Sequence, residues 1–450
     1  MSADNLEQFA ADAVKLAQAL GASDAECTIS EGAEFSAAVR MREVESLKEA
    51  GSRGAGIRVL VGQRGGSSYT SDLSPEGMQQ MVHAALELAK ITSDDPHAGL
   101  PEREDLGKLT GDLHLSDPSI AQMETEWKIA QAKRAEEAAL GFDARIQNSE
   151  GASFDSHQGL RVFANSRGFV GNYASASCGL SVVPVAKENG VMERDYWHTA
   201  ARNAAKLESP EDVGRIAAQR AIRRLNARKV PTQKMPVIFE PRTARSLLSE
   251  IFDAVNGSSI YRHASFLAGK LGEQIASEML TVIDDATIPG LFGTSPFDDE
   301  GVASRRTMVI ERGVLKSYLL NTYTARKLGL KTTGNASRGI TGAAGVGPGN
   351  FFVEAGALAP GAIIKGIRSG LYITELIGGG ANTVTGDYSS GAAGLWIENG
   401  ELAYPVSEIT IAGTMERMLR DIEEIGSDLE FRGSVASPTL KIAEMMISGQ

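Results

Sequence analysis

Apolar positions recur at helical spacing over residues 5–20, where Leu6, Phe9, Ala10, Ala13, Val14, Leu16, Ala17 and Leu20 share a face and Gly21 ends the run. Strand-like runs follow at 25–31, 34–41, 44–49, 55–62 and near 66–71. Ser74-Pro75-Glu76 has the form of an N-cap with proline in the first turn, and predicts a helix over 75–91 with Met78, Met81, Val82, Ala85, Leu86 and Leu88 inward. Residues 93–117 are polar with proline and glycine, and predict an irregular linker. The pattern then repeats. Ser116-Asp117-Pro118 caps a helix over 118–140, strands are expected at 144–149, 153–164, 168–186 and 190–198, and Ser209-Pro210-Glu211 starts a helix over 209–227. Gly56, Arg58, Arg64-Gly65 and Tyr69 are echoed by Gly159, Arg161, Arg167-Gly168 and Tyr173, which predicts one duplicated hairpin.

A connector over 227–236 leads to a third unit rich in strands. A strand at Pro236–Pro241 precedes a helix over 242–256. Hairpins are expected with turns near Glu311-Arg312-Gly313 and at Asn399-Gly400, the latter pair supplying the positive φ of a type I′ turn. Met415, Met418, Leu419, Ile422 and Ile425 predict a helix over 414–425. The fold class expected is α+β: two related helix/antiparallel-strand units (1–110 and 111–234) followed by a strand-rich, barrel-like domain (235–450).

Composition narrows the function classes. The formal charge of −12 lacks the net basic face of a nucleic-acid binder, so no direct DNA or RNA contact is expected. Arg220, Arg223, Arg224, Arg228 and Lys229 cluster near one helix end, where they complement its dipole. The two cysteines, Cys27 and Cys178, lie in separate strand-like runs and fit buried thiols in a reducing compartment. The acidic, helical N-terminus has no signal-peptide pattern, and no apolar run is long enough to span a bilayer, so a cytoplasmic protein is expected.

The chemistry-bearing residues are sparse. No two of the six histidines (His83, His97, His114, His157, His198, His263) fall within about a helical turn of each other, and none follows His263. A conventional zinc site in the last domain therefore lacks its ligands. There is no nucleophile elbow, and the loop 339–350, although dense in glycine, lacks the lysine and hydroxyl of a P-loop and is expected to be mobile. Asp298-Asp299-Glu300-Gly301 matches no calcium loop and predicts an acidic turn. The most distinctive stretch is 371–413, where Thr385, Asp387, Tyr388 and Ser389 sit in a glycine-dense loop and are candidates to line a cleft.

Four stretches, Ser295–Val302, 322–336, 374–413 and the terminal Ser448-Gly449-Gln450, together resemble the PmbA/TldD family, in its PmbA (TldE) branch. The resemblance covers essentially the whole chain. It implies one subunit of a cytoplasmic metallopeptidase built from two homologous proteins, acting on unfolded peptides. An older label for the family is modulator of DNA gyrase. In the zinc-bearing TldD-type partner the ligands lie on an HExxxH helix motif plus a later cysteine. Carried over, those positions are Ser249, Glu250 and Ala254, with no cysteine near 433–437, so the motif is vestigial and no metal or other cofactor is expected in this chain. The partner expected is the zinc subunit, with a homodimer when alone. Two alternatives stand beside this reading: a stand-alone metallopeptidase with an unorthodox carboxylate site made of Glu250 with Asp298, Asp299 or Asp387, and a non-proteolytic regulator that binds gyrase or another protein.

Overall fold

The computed structural model describes residues 2–449; Gln450, the end of the terminal stretch quoted above, lies outside them. Helix α1 (Ala3–Ala19) begins at Ser2, whose Oγ accepts the Asn5 N–H at 3.3 Å, and buries the predicted face apart from Leu16, which is half-buried, and Leu20, which is exposed. Strands β1 (Asp24–Arg40), β2 (Glu43–Val61) and β3 (Arg64–Thr70) follow, then helix α2 (Pro75–Ile91), capped by Ser74 as expected. The four short strands expected over 25–62 are thus two long ones. Gly32 does not end β1, because it is held from both sides, opposite Ser52 in β2 and Gly159 further along the chain.

The second unit has helix α3 (Thr125–Leu140), strands β4 (Ile146–Asn165) and β5 (Val170–Glu188), two short strands (Val191–Arg194 and Trp197–Ala201) that both pair with β5, and helix α4 (Pro210–Ile222). β4 absorbs two predicted strands across a bulge at Gly151 (φ 122°). β1 and β4 pair antiparallel, so both units join edge to edge in one seven-stranded sheet. These four helices lie on one face of it, over two adjacent cores: Cys27, Ile29, Ile57 and Val162 in one, Val39, Phe154, Leu180 and Val182 in the other; a further short helix, Pro118–Ala121, precedes α3, so the helix expected over 118–140 is broken at 122–124.

The duplicated hairpin does not hold. Gly56 lies in the second strand of the first unit and pairs with Tyr69, whereas Gly159 lies in the first strand of the second unit and pairs with Ser175. The likeness between the units is one of element order, not of those residues.

In the third unit, β6 (Gln233–Phe239), helix α5 (Pro241–Val255), β7 (Ser369–Ala381), β8 (Asp387–Glu398), β9 (Glu401–Thr414) and β10 (Leu440–Ser448) carry the core. The pairings β9–β8–β7–β6–β10–β9 close a five-stranded barrel, as the strand-rich pattern predicted. Leu247, Leu248, Ile251, Ala254 and Val255 of α5 share its core. Both predicted hairpin turns are present, with Arg312-Gly313 and Asn399-Gly400 at positive φ. The helix expected over 414–425 stops at Arg420, because Ile422 and Ile425 pair with β10.

The sheet face without helices meets this domain. Phe163 and Phe169 pack with Phe297, Arg161 pairs with Asp299 at 2.8 Å, and Glu26 pairs with Arg58 at 2.8 Å and with Arg338 at 2.6 Å. The loop after Arg338 is docked here, contrary to the expectation of a mobile segment. A Cβ on Gly56 would lie 1.6 Å from the Ile340 carbonyl oxygen, so this approach needs glycine.

Candidate functional site

Helix α5 carries the three positions matched to the zinc motif, Ser249, Glu250 and Ala254, and they diverge. At about 100° per residue, two positions five apart point roughly 140° away from each other. Ser249 is exposed and its Oγ donates to the Arg245 carbonyl at 3.2 Å; Ala254 is fully buried in the barrel core. The stretch 433–437 supplies Val435-Ala436, paired in parallel with Phe351-Phe352, and a buried Ser437 whose Oγ donates to the Pro438 carbonyl at 3.0 Å.

Glu250 lies on the remaining side, against the glycine-rich hairpin. Its carboxylate lies near the Ala381 amide, and a Cβ on Gly380 would lie 2.4 Å from Oε1. Burial holds Glu250 above the usual carboxylate range, against the nearby Ala381 amide and reinforced by Asp253. Tyr388 is buried beside it. Burial and then the Glu250 charge push the phenol up. Ser390 Oγ donates to the Gly378 carbonyl at 2.7 Å, which ties the two strands of the hairpin together.

The four hairpin candidates therefore divide by strand alternation. Thr385, Asp387 and Ser389 face solvent, and Tyr388 points into the barrel. Thr385 Oγ1 donates to Asp387 Oδ2 at 2.7 Å, while Asn382 Oδ1 accepts the Val384 and Thr385 amides, so the turn is held by its own polar groups. The acidic turn has an internal role too. Asp298 Oδ1 accepts the Glu300 and Val302 amides and its Oδ2 the Ala336 amide, each at 2.9 Å, and burial with the neighbouring Glu300 pushes it up to about 8.

Sequence alone missed the contact between Glu250 and Gly380, which are far apart along the chain, and a cluster of Trp197, His198, Arg242, Arg245 and Arg432 at the first turns of α5. No periodicity signals either one: the first joins two distant segments of the third unit, and the second joins residues from different units.

Family profiles described as PmbA/TldA metallopeptidase domain 1, central domain and C-terminal domain match residues 25–89, 118–225 and 232–449. The chain belongs to the PmbA/TldD family. It is 42% identical to metalloprotease PmbA of Escherichia coli O157:H7 over 99% of this chain and 96% of that protein. A crystal structure described as a candidate modulator of DNA gyrase from Bacteroides thetaiotaomicron superposes with a TM-score of 0.93 at 28% identity, covering 100% of both chains. The crystal structure of TldE from Thermococcus kodakarensis gives 0.87 at 22% identity, covering 97% of this chain and 99% of that one, and shares the fold. The family is one of metallopeptidases, so the donor set at the motif positions decides whether a zinc ion fits. A serine hydroxyl committed to a helix carbonyl, a buried alanine and a buried Ser437 offer no imidazole or thiolate. Among the described residues no three His, Cys, Asp or Glu side chains converge on a common point. The residues present do not fit the ion.

Proposed function

We propose that this chain is the non-zinc subunit of a TldD/TldE-type metallopeptidase, taking part in cytoplasmic proteolysis and peptide maturation beside a homologous zinc-bearing partner. The observation that carries the reading is the donor set of α5, where Ser249 faces solvent and Ala254 is sealed in the core. Glu250 keeps its carboxylate, but with no metal-bound water to deprotonate it serves here to seat the hairpin at Gly380. The hairpin then presents Thr385, Asp387 and Ser389 outward, and Ile377 and Val384 beside them are 57% and 56% exposed, an apolar surface suited to cover by a partner or an unfolded peptide. Among the described residues no helix is long and apolar enough to cross a membrane, which is compatible with that setting.

The test is reconstitution. The purified chain alone should leave an unstructured peptide intact and carry no stoichiometric zinc. Mixed with a TldD-type protein it should form a complex that cleaves the peptide and is stopped by a chelator. Chelator-sensitive cleavage by the isolated chain would overturn the proposal in favour of an independent carboxylate site. Recovery of gyrase without any TldD-type protein in pull-downs would favour the regulator.

A further inference from the structure

Strands β1 and β2 form a hairpin that runs well past the strand beside it. β3 pairs with residues 55–61 of β2 and no others. Over residues 43–53, β2 is therefore bonded to β1 on one side, and among the described residues no strand pairs with its other side. At about 3.3 Å per residue this open edge is roughly 35 Å long. Residues 43–49 and 51–53 are all exposed. In a strand every second residue turns its N–H and C=O to the same side, so the edge holds a row of backbone donors and acceptors that face solvent.

A row of this kind is matched by one ligand chemistry, the backbone of another extended chain. Proteins usually blunt such edges with proline, bulges, short strands or charge. This stretch has no proline, and its register shift, at Ala38 and Val39 across from Ser46 and Val44, lies close to the hairpin turn. What remains is charge, from Glu43, Glu45, Lys48, Glu49 and Arg53. These charges act against a second copy of this chain. A two-fold antiparallel pair sets one residue opposite itself, and the two registers that engage most of residues 43–54 put Lys48 against Lys48 or Glu49 against Glu49. The edge stays open to a strand of different sequence.

The apolar side chains show where such a strand gains contact. Leu47 lies opposite Ala37, and Ala37 opposite Phe154, so the three form a row on the face that carries the helices. Trp127 of α3 packs edge-on against Phe154, with ring centres 5.5 Å apart. Leu47 ends the row at the open edge and is 54% exposed, and Val44, opposite Val39 on the same face, is 43% exposed. A side chain of an added strand opposite Leu47 continues the row and covers it.

We propose that the open edge of β2, residues 43–53, takes up an extended segment of an unfolded polypeptide as an added strand, with an apolar side chain seated beside Leu47. Backbone hydrogen bonds supply the affinity, and the row ending at Leu47 supplies the preference. The proposal stands on the sheet alone and holds whether or not a zinc-bearing partner is found.

Fluorescence anisotropy and hydrogen–deuterium exchange on the full chain test it with two labelled probes. The first is a short acetylated and amidated peptide of alternating threonine and valine with a lysine at each end. The second is the same peptide with two adjacent central residues replaced by proline, which removes a donor from each of its edges. The expected result is saturable binding of the first peptide, binding of the second at least about tenfold weaker, and amide exchange slowed within residues 43–53. Equal binding of the two peptides, no binding of the first, or slowed exchange only elsewhere in the chain would overturn the proposal. Protection of residues 43–53 that grows with chain concentration in the absence of peptide would assign the edge to a second copy and overturn it as well. The comparison of the two peptides needs no variant of the chain, so folding does not enter the result.

Discussion

Two glycine-dense stretches of this chain look alike in sequence and do opposite things. The hairpin joining β7 to β8 uses its glycines for its own backbone: Gly378, Gly379, Gly380 and Gly386 all take positive φ, at 62°, 74°, 134° and 79°. The loop 339–350 has one such residue, Gly342 at 88°, and lies close to glycines elsewhere: Gly56 under Ile340, and Gly293 against the Gly349 carbonyl. The first stretch is shaped from within and keeps a solvent face; the second approaches the N-terminal sheet at Ile340 and its own domain at Gly349. Glycine density therefore marks either an unusual backbone or a close approach, and the two cases carry different energetic stakes.

The approach to the sheet should give the largest effect. Arg338 is buried against Glu26, whose other cation is Arg58, and Glu26 Oε2 already lacks a hydrogen-bond partner. Arg338→Ala leaves a buried carboxylate half-compensated, so unfolding in urea should show a loss of about 3–5 kcal/mol. A loss below about 1 kcal/mol would mean that the loop is not latched by this pair, and the contrast between the two stretches would collapse.

The second effect comes from the far end of the same loop, near Gly349, where Asn335 Nδ2 donates to Asp284 Oδ2 at 2.7 Å and Oδ1 is left without a partner. Burial pushes this carboxyl up to about 6 from its usual 3.8. A raised folded pKa means that the protonated form is favoured by folding. The contribution is complete below about pH 4 and is lost as pH rises through about 6. Relative to Asp284→Asn, the wild type should lose up to about 3 kcal/mol between pH 4 and 7, at about 1.36 kcal/mol per unit. A pH-independent difference between the two proteins would remove Asp284 from the account.

How much of this was legible beforehand follows from the range of the interactions. Helix caps at Ser74 and Ser209, the turns at Arg312-Gly313 and Asn399-Gly400, and the barrel-forming strands are local signals, and they appear where the pattern placed them. Strand length was not legible, because Gly32 is kept in the ladder by neighbours from two other strands. The hairpin repeat misled for a related reason: Gly56 answers to Ile340 in another domain, not to a counterpart of Gly159. At the site, the missing ligands at Ser249 and Ala254 were visible as residue types. Their divergent directions follow from a five-residue spacing on a helix, whereas the seat of Glu250 on Gly380 exists only once the third unit has folded, and the cluster around Arg245 only once the units are assembled.

On the hairpin side the stakes are smaller. Gly380→Ala puts a methyl 2.4 Å from Glu250 Oε1 at a φ of 134°, so strain and displacement should cost about 1–3 kcal/mol. The flexible end of Glu250 can retreat, which keeps this below the effect of Arg338→Ala. Adding Glu250→Ala should recover the steric part and leave the backbone part. If the double variant is no more stable than Gly380→Ala, the carboxylate and the hairpin are not coupled.

Thr385→Ala should have the smallest effect on stability and be the most informative about function. Its hydroxyl bonds only to Asp387 within an exposed turn whose amides are already held by Asn382, so the stability change should stay within about 0.5 kcal/mol. A shaped but solvent-facing hairpin has no structural need for Thr385 beyond that pair. In the reconstituted complex, the proposed cleft role predicts a raised KM for an unstructured peptide with kcat little changed, since uniform binding is what would be removed. If KM and stability both stay at wild-type values, the outward face of this hairpin is a turn and nothing more, and the cleft must be sought on the other side of α5, where the cluster around Arg245 lies.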